Sequence, residues 1–274
     1  MINKPEIFCV TNKHLKFFEK IDYNLAAVGK DKFPPKYIKC DTGENIFYKE
    51  ENYSELTFHY WFWKNRLDQY KDRNSWIGFC QKRRFWLQKN ENISNLSLNV
   101  ISSKLLKTVP DEWKNRDSVI CKPIDLTGPK KIKVLKKGWK NFIKDPTILF
   151  NKRKQTIKLH FDMFHGYGKL DQAIDVMHEK DQFEFRNYVN QSTSFNPHIM
   201  FIAKPDIINK WFFDLFSWLS KCESIFGFKE LKGYETKRLY AYLSERYLSF
   251  WFKKYSNYIE WPYIFIDTEK TSEL

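Results

Sequence analysis

The sequence lacks the features that define several classes of protein. Only 9 glycines and 10 prolines occur among its 274 residues, which excludes a collagen-like or low-complexity chain. No run approaches the roughly 18 consecutive apolar residues that a membrane-spanning helix needs. The first residues show neither a long apolar core nor a small-residue cleavage site, so no signal peptide is predicted.

Cysteines and familiar catalytic motifs are also scarce. Five cysteines, an odd number, lie far apart without a CxxC pair, so neither a zinc knuckle nor a disulfide framework is predicted. This usage favours a reduced, cytoplasmic protein. The GxGxxG, GxxxxGK[ST], HExxH and GxSxG motifs are all absent. No group of histidines and cysteines has metal-ligand spacing, so no metal site is predicted.

The residues that are abundant are aromatic and basic. Hydrophobic residues make up 42% of the chain and aromatic residues 18%, enough for a large core and too many for a disordered chain. The length predicts a single domain over residues 1–274. Of the net charge of +14, the segment 129–160 supplies +10, because eleven lysines and arginines there face only Asp145. Residues 129–156 are predicted to be a basic, amphipathic helical insertion.

Three interpretations of this basic segment stay open. Bulky apolar residues such as Trp139, Phe142 and Ile143 alternate with its lysines. The pattern suits a solvated lysine-rich face over an ordinary apolar stripe, an anionic membrane surface, or a nucleic acid. Arginine, the residue that best recognises phosphate forks and guanine, is sparse here, which disfavours the nucleic acid.

Apolar runs and periodicity predict an α/β fold. Strands are predicted over residues 6–10, 76–80, 118–121, 157–161, 198–203 and 261–266. One helix is predicted to begin with a capping box of Asn52 and Glu55, another at Pro205, and a third to cover 235–254. Alternating strands and helices favour a sheet covered by helices on both faces.

The apolar faces of these helices are predicted from the spacing of large residues. The first helix also contains His59, which is interpreted as structural. The inward residues are predicted to be Leu56, Tyr60, Trp63 and Leu67 in the first helix, Ile208, Trp211, Phe212, Leu215, Leu219 and Cys222 in the second, and Leu239, Leu243, Tyr247 and Phe250 in the third.

Polar residues follow the first two long strands, and ligands of α/β folds bind outside the carboxyl ends of strands. These segments are residues 11–14 and 81–84. In the second, Lys82, Arg83 and Arg84 repel one another, and a bound diphosphate would relieve that repulsion through paired guanidinium donors. The alternative is that the arginines pair with carboxylates such as Asp41 or Glu55.

Three further groups are candidates with open alternatives. The turn 41–45 suits a ribose or sugar hydroxyl, or it caps itself. Residues 160–171 are predicted to form a glycine-bounded loop that performs acid–base chemistry, or an ordinary surface loop. The adjacent Glu245 and Arg246 are either a buried ion pair or part of the floor of a site.

Several stretches together resemble a known family. They are residues 7–14, 41–46, 53–57, 60–65, 77–85, 196–202 and 243–246. They resemble the bacterial capsular-polysaccharide and lipopolysaccharide glycosyltransferases long catalogued as a domain of unknown function, of which some members are galactofuranosyltransferases. Residues 86–155 match the family poorly. Where the family has His-Tyr before its two arginines, this chain has Gln81 and Lys82.

The resemblance implies a GT-A-like fold, with a Rossmann-related mixed sheet flanked by helices. It also implies transfer of a hexose, such as galactofuranose or galactose, from a UDP-sugar to a growing cell-surface polysaccharide or lipid-linked acceptor. The cations of residues 82–84 occupy the place of the metal-binding Asp-x-Asp of many GT-A enzymes, so the hypothesis is a diphosphate stabilised by arginines, with no cofactor required. The competing hypothesis is a non-catalytic polyanion- or nucleic-acid-binding module.

The resemblance also implies roles for individual residues. The predicted catalytic residues are Asp171, Asp162 and His165. The predicted donor-binding residues are Thr11, Asn12, Lys13, His14, Asp41, Gly43, Asn45, Lys49, Glu55, Lys82, Arg83 and Arg84. The predicted acceptor-side residues are His198, Glu245 and Arg246. The expected location is the cytoplasm, with the basic segment docked on the anionic inner face of the membrane.

Overall fold

The computed structural model describes residues 4–90, 98–128 and 131–266. Within these ranges the chain forms two compact units. The first contains the described residues of 1–122, 198–212 and 252–274, and the second contains those of 123–197 and 213–251. The single domain over 1–274 stays a prediction. Pro129 and Lys130, at the start of the predicted insertion, lie outside the described residues.

The strands and helices have the following bounds in chain order. The strands are β1 Glu6–Thr11, β2 Asn24–Ala27, β3 Ile38–Lys39, β4 Ile77–Gln81, β5 Arg84–Trp86, β6 Ser118–Cys121, β7 Ile124–Asp125, β8 Ser194–Phe195, β9 Phe201–Ala203, β10 Tyr258–Trp261 and β11 Tyr263–Phe265. The helices are α1 Glu50–Tyr53, α2 Leu56–Asn65, α3 Leu98–Lys104, α4 Lys131–Lys137, α5 Trp139–Lys144, α6 Ile157–His165, α7 Lys169–Asp175, α8 Glu179–Gln191, α9 Pro205–Phe226, α10 Tyr234–Lys237 and α11 Leu239–Tyr255.

A mixed sheet organises the first unit. Its strand order is β10-β6-β9-β4-β1-β2-β3, with β5 joining β4 to β11. Strand β1 runs parallel to both β2 and β4, whereas β9 is antiparallel to β4 and β6. The carboxyl ends of β1, β2 and β4 therefore lie at the same edge of the sheet.

Side chains alternate between the two faces of this sheet, as the pleat requires. On one face Phe8 and Phe79 meet Phe62 of α2, with ring centroids 5.0 and 5.2 Å away. On the other face Ile7 and Cys9 join a buried cluster that contains several tryptophans. The predicted α/β fold, with a sheet between layers of apolar side chains, is confirmed.

The second unit is mainly helical and buries a small polar network. The Ser249 hydroxyl donates to Asn196 Oδ1 at 2.6 Å and accepts from the Asn196 amide at 3.1 Å. The Tyr247 hydroxyl donates to the fully buried carboxylate of Asp181 at 2.6 Å. These bonds satisfy groups whose burial would otherwise cost free energy.

Several predicted elements are confirmed. Strands over 6–10, 76–80 and 118–121 appear within one residue of their predicted bounds as β1, β4 and β6. Helix α9 begins at Pro205, and the predicted inward residues of α9 and α11 are all buried. The predicted third helix is divided at Arg238 into α10 and α11. The closing strand is divided at Pro262, which has no N–H for a ladder bond, into β10 and β11.

The predicted strand over 157–161 is wrong, because these residues begin helix α6. The side chain of Thr156 caps the helix by accepting from the Leu159 amide at 3.4 Å. Ile157, Leu159 and Phe161 fit a period of two, but Ile157 and Phe161 are also one helical turn apart. A short apolar run of this kind does not distinguish a strand from a buried helix.

The predicted start of the first helix is also wrong. Ser54, with a φ of 53°, separates α1 from α2, and Glu55 makes no side-chain capping bond at the start of α2. Of the predicted inward residues, Tyr60 and Trp63 are only half-buried, and Phe58, His59 and Phe62 are buried in their place.

The predicted strand over 198–203 is reduced to Phe201–Ala203. His198 has a φ of 68°, a left-handed conformation that interrupts an extended chain. The ladder with β4 and β6 therefore begins at Phe201.

His59 is packed among aromatic rings in the first unit. Its ring centroid lies 4.5 Å from that of Phe79 and 5.7 Å from that of Phe212. Its Nδ1 has no hydrogen-bond partner among the described residues. Burial lowers the pKa of His59 from 6.5 to about 3. The interpretation of His59 as a structural residue agrees with this placement.

We expect replacement of His59 by Phe to reduce the loss of stability in acid. Between pH 6.5 and about 3 the unfolded histidine takes up a proton that the folded state excludes. Stability therefore falls as the pH falls through this window, by about 1.4 kcal/mol per unit. Urea unfolding of wild type and His59→Phe at pH 7, 6 and 5 measures the difference. Equal slopes for His59→Phe and wild type would contradict the assignment.

Candidate functional site

The parallel pairing of β1 and β4 brings together the two polar segments that follow them. Val10 lies opposite Gln81 in the ladder, so both chains leave the sheet at the same point. Immediately beyond it, Lys82 Nζ donates to Asn12 Oδ1 at 2.6 Å. This bond directly joins two segments predicted to bind the donor.

Residues 81–84 form a tight hairpin. Gln81 pairs with Arg84 across the antiparallel β4 and β5, which leaves Lys82 and Arg83 as the two loop residues. All four side chains are half-buried. The cations are therefore held at the sheet edge and do not extend into bulk solvent.

An aromatic ring lies beside both arginines, and the carboxamide of Gln81 contacts Arg84. The guanidinium carbons of Arg83 and Arg84 lie 5.0 and 5.1 Å from the ring centroid of Phe265. Arg84 Nη1 donates to Gln81 Oε1 at 3.2 Å, and Gln81 Nε2 donates to Glu55. Two planar cations are thus packed beside one ring, an arrangement suited to paired donors for phosphate oxygens.

The loop after β1 has an internal fold. The buried Thr11 hydroxyl donates to the Lys13 carbonyl at 2.5 Å, and Thr11 Oγ1 accepts from the Lys13 amide at 3.1 Å. His14 Nδ1 lies 2.7 Å from the hydroxyl of Tyr37, and burial raises the pKa of Tyr37 to about 12. Lys13 itself is exposed. Thr11 therefore shapes the loop, while Asn12 contacts the cationic turn.

The turn 41–45 is fastened to α2 by one side chain. Asn65 Nδ2 donates to the Glu44 carbonyl at 2.9 Å, and Asn65 Oδ1 accepts from the Glu44 amide at 3.2 Å. Gly43 has a φ of +63°, and a Cβ there would lie 2.2 Å from Asn65 Oδ1. Asn45 Nδ2 donates to the Gly43 carbonyl at 2.9 Å. These contacts favour the self-capping interpretation for Gly43 and Asn45.

The remaining donor candidates lie on the flanks of this turn. Asp41 is exposed at its start. The Lys49 ammonium lies 5.6 Å from the ring centroids of both Tyr48 and Tyr53. Sequence reasoning missed Phe265 and Asn65 as supporting residues. Asn65 closes one of the family-like stretches, whereas no sequence signal links Phe265 to residues 83 and 84.

In the second unit, two predicted catalytic carboxylates share one lysine. Lys158 Nζ lies 2.6 Å from Asp171 Oδ2 and 3.2 Å from Asp162 Oδ2. Burial alone would lower the pKa of Lys158, but the two carboxylates outweigh it and raise that pKa. Asp162 also accepts from the Gly168 amide at 3.0 Å, and Arg186 Nη1 lies 3.4 Å from Asp171 Oδ1.

The predicted glycine-bounded loop over 160–171 is wrong in part, because residues 157–165 are helix α6 and 169–175 are helix α7. Only residues 166–168 connect them. A cavity of about 320 Å³ lies beside this cluster, lined by Lys158 and Asp162 together with Lys144, Arg153, Lys154 and two asparagines.

His165 is held as a neutral imidazole. Its ring stacks on Tyr242 with centroids 3.7 Å apart, and its Nδ1 lies 3.1 Å from the Glu235 carbonyl, to which it donates. Burial, followed by the charge of Arg246, lowers the pKa of His165 to about 4. His165 is therefore uncharged near neutral pH.

The predicted acceptor-side residues have separate surroundings. Arg246 is fully buried, forms an ion pair with Glu245, and lies 4.3 Å over the ring of Phe195. Its Nη2 lies 3.2 Å from His160 Nδ1. These contacts favour the ion-pair interpretation for Glu245 and Arg246. In the first unit, His198 packs edge-on against Tyr263 at 5.5 Å.

Two features are absent from residues 4–90, 98–128 and 131–266. No group of three or more His, Cys, Asp or Glu side chains there is arranged to hold a metal ion. No helix in the same ranges combines the length and apolar character needed to cross a bilayer.

The fold has a counterpart among solved structures. The chain superposes on the apo structure of the WbbM bifunctional glycosyltransferase with a TM-score of 0.67 and 17% sequence identity. The superposition covers 97% of this chain and 46% of that one, so the chain spans about half the length of that protein. No curated protein matches the chain.

A family assignment follows from the sequence match that spans most of the chain. Residues 6–257 match the family described as "Domain of unknown function (DUF4422)". This range includes β1, the turn 41–45, the hairpin 81–84 and the buried Glu245–Arg246 pair. The chain belongs to this DUF4422 family.

Proposed function

We propose that the protein is a glycosyltransferase that binds a nucleotide-sugar at the carboxyl edge of β1 and β4. The proposal rests on the arrangement of cations at that edge, where Lys82 bonds to Asn12 and the guanidiniums of Arg83 and Arg84 pack beside Phe265. Ligands of α/β sheets bind at such an edge, and the turn offers three cations for a diphosphate. The WbbM glycosyltransferase has the same fold, which supports this class of reaction.

The proposed donor is a UDP-sugar whose hexose is galactofuranose or galactose. Asn12 and His14 face the nucleoside, Lys82, Arg83 and Arg84 bind the diphosphate, and Asp41 and Lys49 lie on the sugar side. Thr11, Gly43, Asn45 and Glu55 act mainly by shaping the loops and orienting Gln81. The proposed acceptor is a growing capsular or lipopolysaccharide chain, free or lipid-linked, in the cytoplasm.

The chemistry would need charge stabilisation and a base. An acceptor hydroxyl attacks the anomeric carbon and forms a new C–O bond. The bond between that carbon and the diphosphate oxygen breaks, and its electron pair stays on the diphosphate. Pre-positioned arginines stabilise that developing charge, as fixed donors do at other sites where charge builds in a transition state. In an inverting reaction the hydroxyl proton passes to a carboxylate.

Asp171 is our first choice for that base. Both carboxylates bind Lys158, but Asp162 is buried and also accepts from the Gly168 amide, and His165 is a weakly basic imidazole engaged with a carbonyl. Asp171 keeps about a third of its side chain exposed. For the acceptor side we propose His198, with Glu245 and Arg246 acting by holding their helix in place.

The competing function is a non-catalytic polyanion-binding module. The same cations would then bind a nucleic acid or acidic polymer through charge alone. Stacking on aromatic rings is the usual mode for single strands. Most aromatic residues here are buried in the two cores, which favours the enzyme.

We expect Arg83→Gln and Arg84→Gln each to lower kcat about 100-fold or more and to weaken UDP binding. UDP at saturating concentration should raise the melting temperature of wild type, because a ligand that binds only the folded state stabilises it. That shift should be lost in Arg83→Gln/Arg84→Gln. Arg73→Gln, an exposed arginine of the same unit paired with Asp206, is the matched control and should behave as wild type. Normal UDP binding by the double variant would remove the proposed diphosphate site.

We expect transfer to continue in the presence of EDTA. Lys82, Arg83 and Arg84 supply the positive charge that a divalent ion supplies at an Asp-x-Asp motif. The measurement is the initial rate with EDTA, with added Mg²⁺ and with added Mn²⁺. A strong loss in EDTA that Mn²⁺ restores would refute the metal-free mechanism.

We expect Asp171→Asn to lower kcat by about 10²-fold or more while UDP binding stays at the wild-type level. Asp175→Asn is the matched control, since Asp175 lies on the same helix, is more exposed, and binds Arg186 at 2.6 Å. A structural role for Asp171 would lower stability and kcat together without changing the pH profile. Loss of the acid-side ionisation from the kcat profile would not follow from such a role, because that limb reports protonation of the base, and near-normal transfer would exclude Asp171 as the base.

A further inference from the structure

Helices α4 and α5 of the basic segment follow one continuous helical path. Along this path, residues that are four apart form rows. The Gly138 amide donates to the Val134 carbonyl at 2.7 Å, and the Phe142 amide donates to the Gly138 carbonyl at 2.9 Å. The i to i+4 bonding therefore continues across the boundary between α4 and α5. Residues spaced by four along such a path share one side.

The inner row is the packed side. Val134 is buried in a cluster with Ile148, Leu159 and Met163, and Phe142 packs against the same cluster. A Cβ on Gly138 would lie 3.0 Å from Met163 Cγ, so the helix approaches α6 closely at this point. This row explains how the segment is attached to the second unit.

The next row is apolar but exposed. Leu135, Trp139 and Ile143 keep 40%, 53% and 68% of their surface accessible, and Phe150 keeps 76%. If the segment were an ordinary amphipathic helix with a solvated lysine face, all its apolar side chains would be buried. Here the inner row is buried, whereas Leu135, Trp139 and Ile143 stay exposed. A run of large apolar side chains in contact with water indicates an interaction surface.

The third row is cationic. It consists of Lys136, Lys140 and Lys144, and the ammonium groups of Lys140 and Lys144 lie 5.2 and 5.3 Å from the ring of Tyr167. Between residues 134 and 154 there are seven lysines and arginines and one acid. That acid, Asp145, is bound by Lys154 at 2.6 Å. The charge beside the apolar row is therefore strongly positive.

We propose that these two rows form a docking surface for an anionic lipid bilayer. The surface, here called the lysine–tryptophan surface, consists of Leu135, Trp139 and Ile143 with Lys136, Lys140 and Lys144. Leucine and isoleucine enter the acyl boundary, tryptophan lies at the headgroup level, and lysines bind anionic headgroups. A nucleic acid would use the cations but has no acyl region for the aliphatic side chains.

This inference rests on the second unit alone and does not depend on the proposed transferase activity. If both hold, the surface places the enzyme where lipid-linked acceptors lie. Failure of vesicle binding would leave UDP binding untouched, and failure of UDP binding would leave the surface untouched. The two proposals are therefore tested separately.

Flotation of the full chain with vesicles tests the surface. Wild type should float with vesicles that mix phosphatidylcholine with the anionic phosphatidylglycerol, and stay behind with phosphatidylcholine alone. Lys136→Gln/Lys140→Gln/Lys144→Gln should lower partitioning about 100-fold. Trp139→Ser/Ile143→Ser should lower it about tenfold or more. High salt should weaken the contribution of the lysines and leave that of Trp139 and Ile143.

Matched controls use exposed residues elsewhere in the same unit. Lys221→Gln/Lys229→Gln/Lys232→Gln removes the same charge, and Phe183→Ser removes a phenylalanine that is 74% exposed. Both should bind vesicles as wild type does. Circular dichroism and melting temperatures confirm that each variant is folded.

Three outcomes would overturn the proposal. If the wild-type protein does not bind anionic vesicles, the surface does not dock on a bilayer. Binding that depends on the lysines but not on Trp139 and Ile143 indicates a general polyanion patch. A lipid-free dimer that Trp139→Ser/Ile143→Ser dissociates indicates that a second copy of the chain covers the row.

Discussion

The parallel ladder between β1 and β4 is the constraint on which the candidate site depends. It sets Val10 beside Gln81, and therefore the loop after β1 beside the hairpin after β4. The Lys82–Asn12 bond spans only the short gap that this register leaves. A slip of one residue would turn every side chain of β4 to the opposite face and bring its apolar residues out of their clusters. The apolar packing that fixes the register thus also fixes the site.

Three cations in one short turn give this edge of the sheet its positive charge. Phe265 packs against both guanidiniums, and Gln81 is placed between Arg84 and Glu55. A ring face and a carboxamide fix the orientation of an arginine, which prepares its paired donors for phosphate oxygens. The second unit shows the opposite arrangement, in which Asp162, Asp171 and Lys158 are closely balanced. The first cluster is suited to binding an anion and the second to handling a proton.

Prediction from the sequence succeeded where composition alone decides the outcome. The run Trp76 to Cys80 has no polar side chain and lies between Ser75 and Gln81, so a buried strand was the only economical choice. In residues 157–161 the apolar Ile157, Leu159 and Phe161 alternate with Lys158 and His160, which fits a strand. Ile157 and Phe161 are also one helical turn apart, and packing within the second unit decided for helix. The turn 41–45 was recognised as a turn, but its attachment to Asn65 depends on a contact across more than twenty residues.

The sequence by itself determined the strand ends that carry cations, the excess of lysine in one segment and the family to which the chain belongs. Those properties are local: they depend on which residues are neighbours along the chain. Tertiary structure decided that Asn12 meets Lys82, that Phe265 supports Arg83 and Arg84, and that the apolar row of Leu135, Trp139 and Ile143 faces water. Each of these depends on which side of a strand or helix packs against a distant part of the chain, and that choice is made by the summed burial of the whole core.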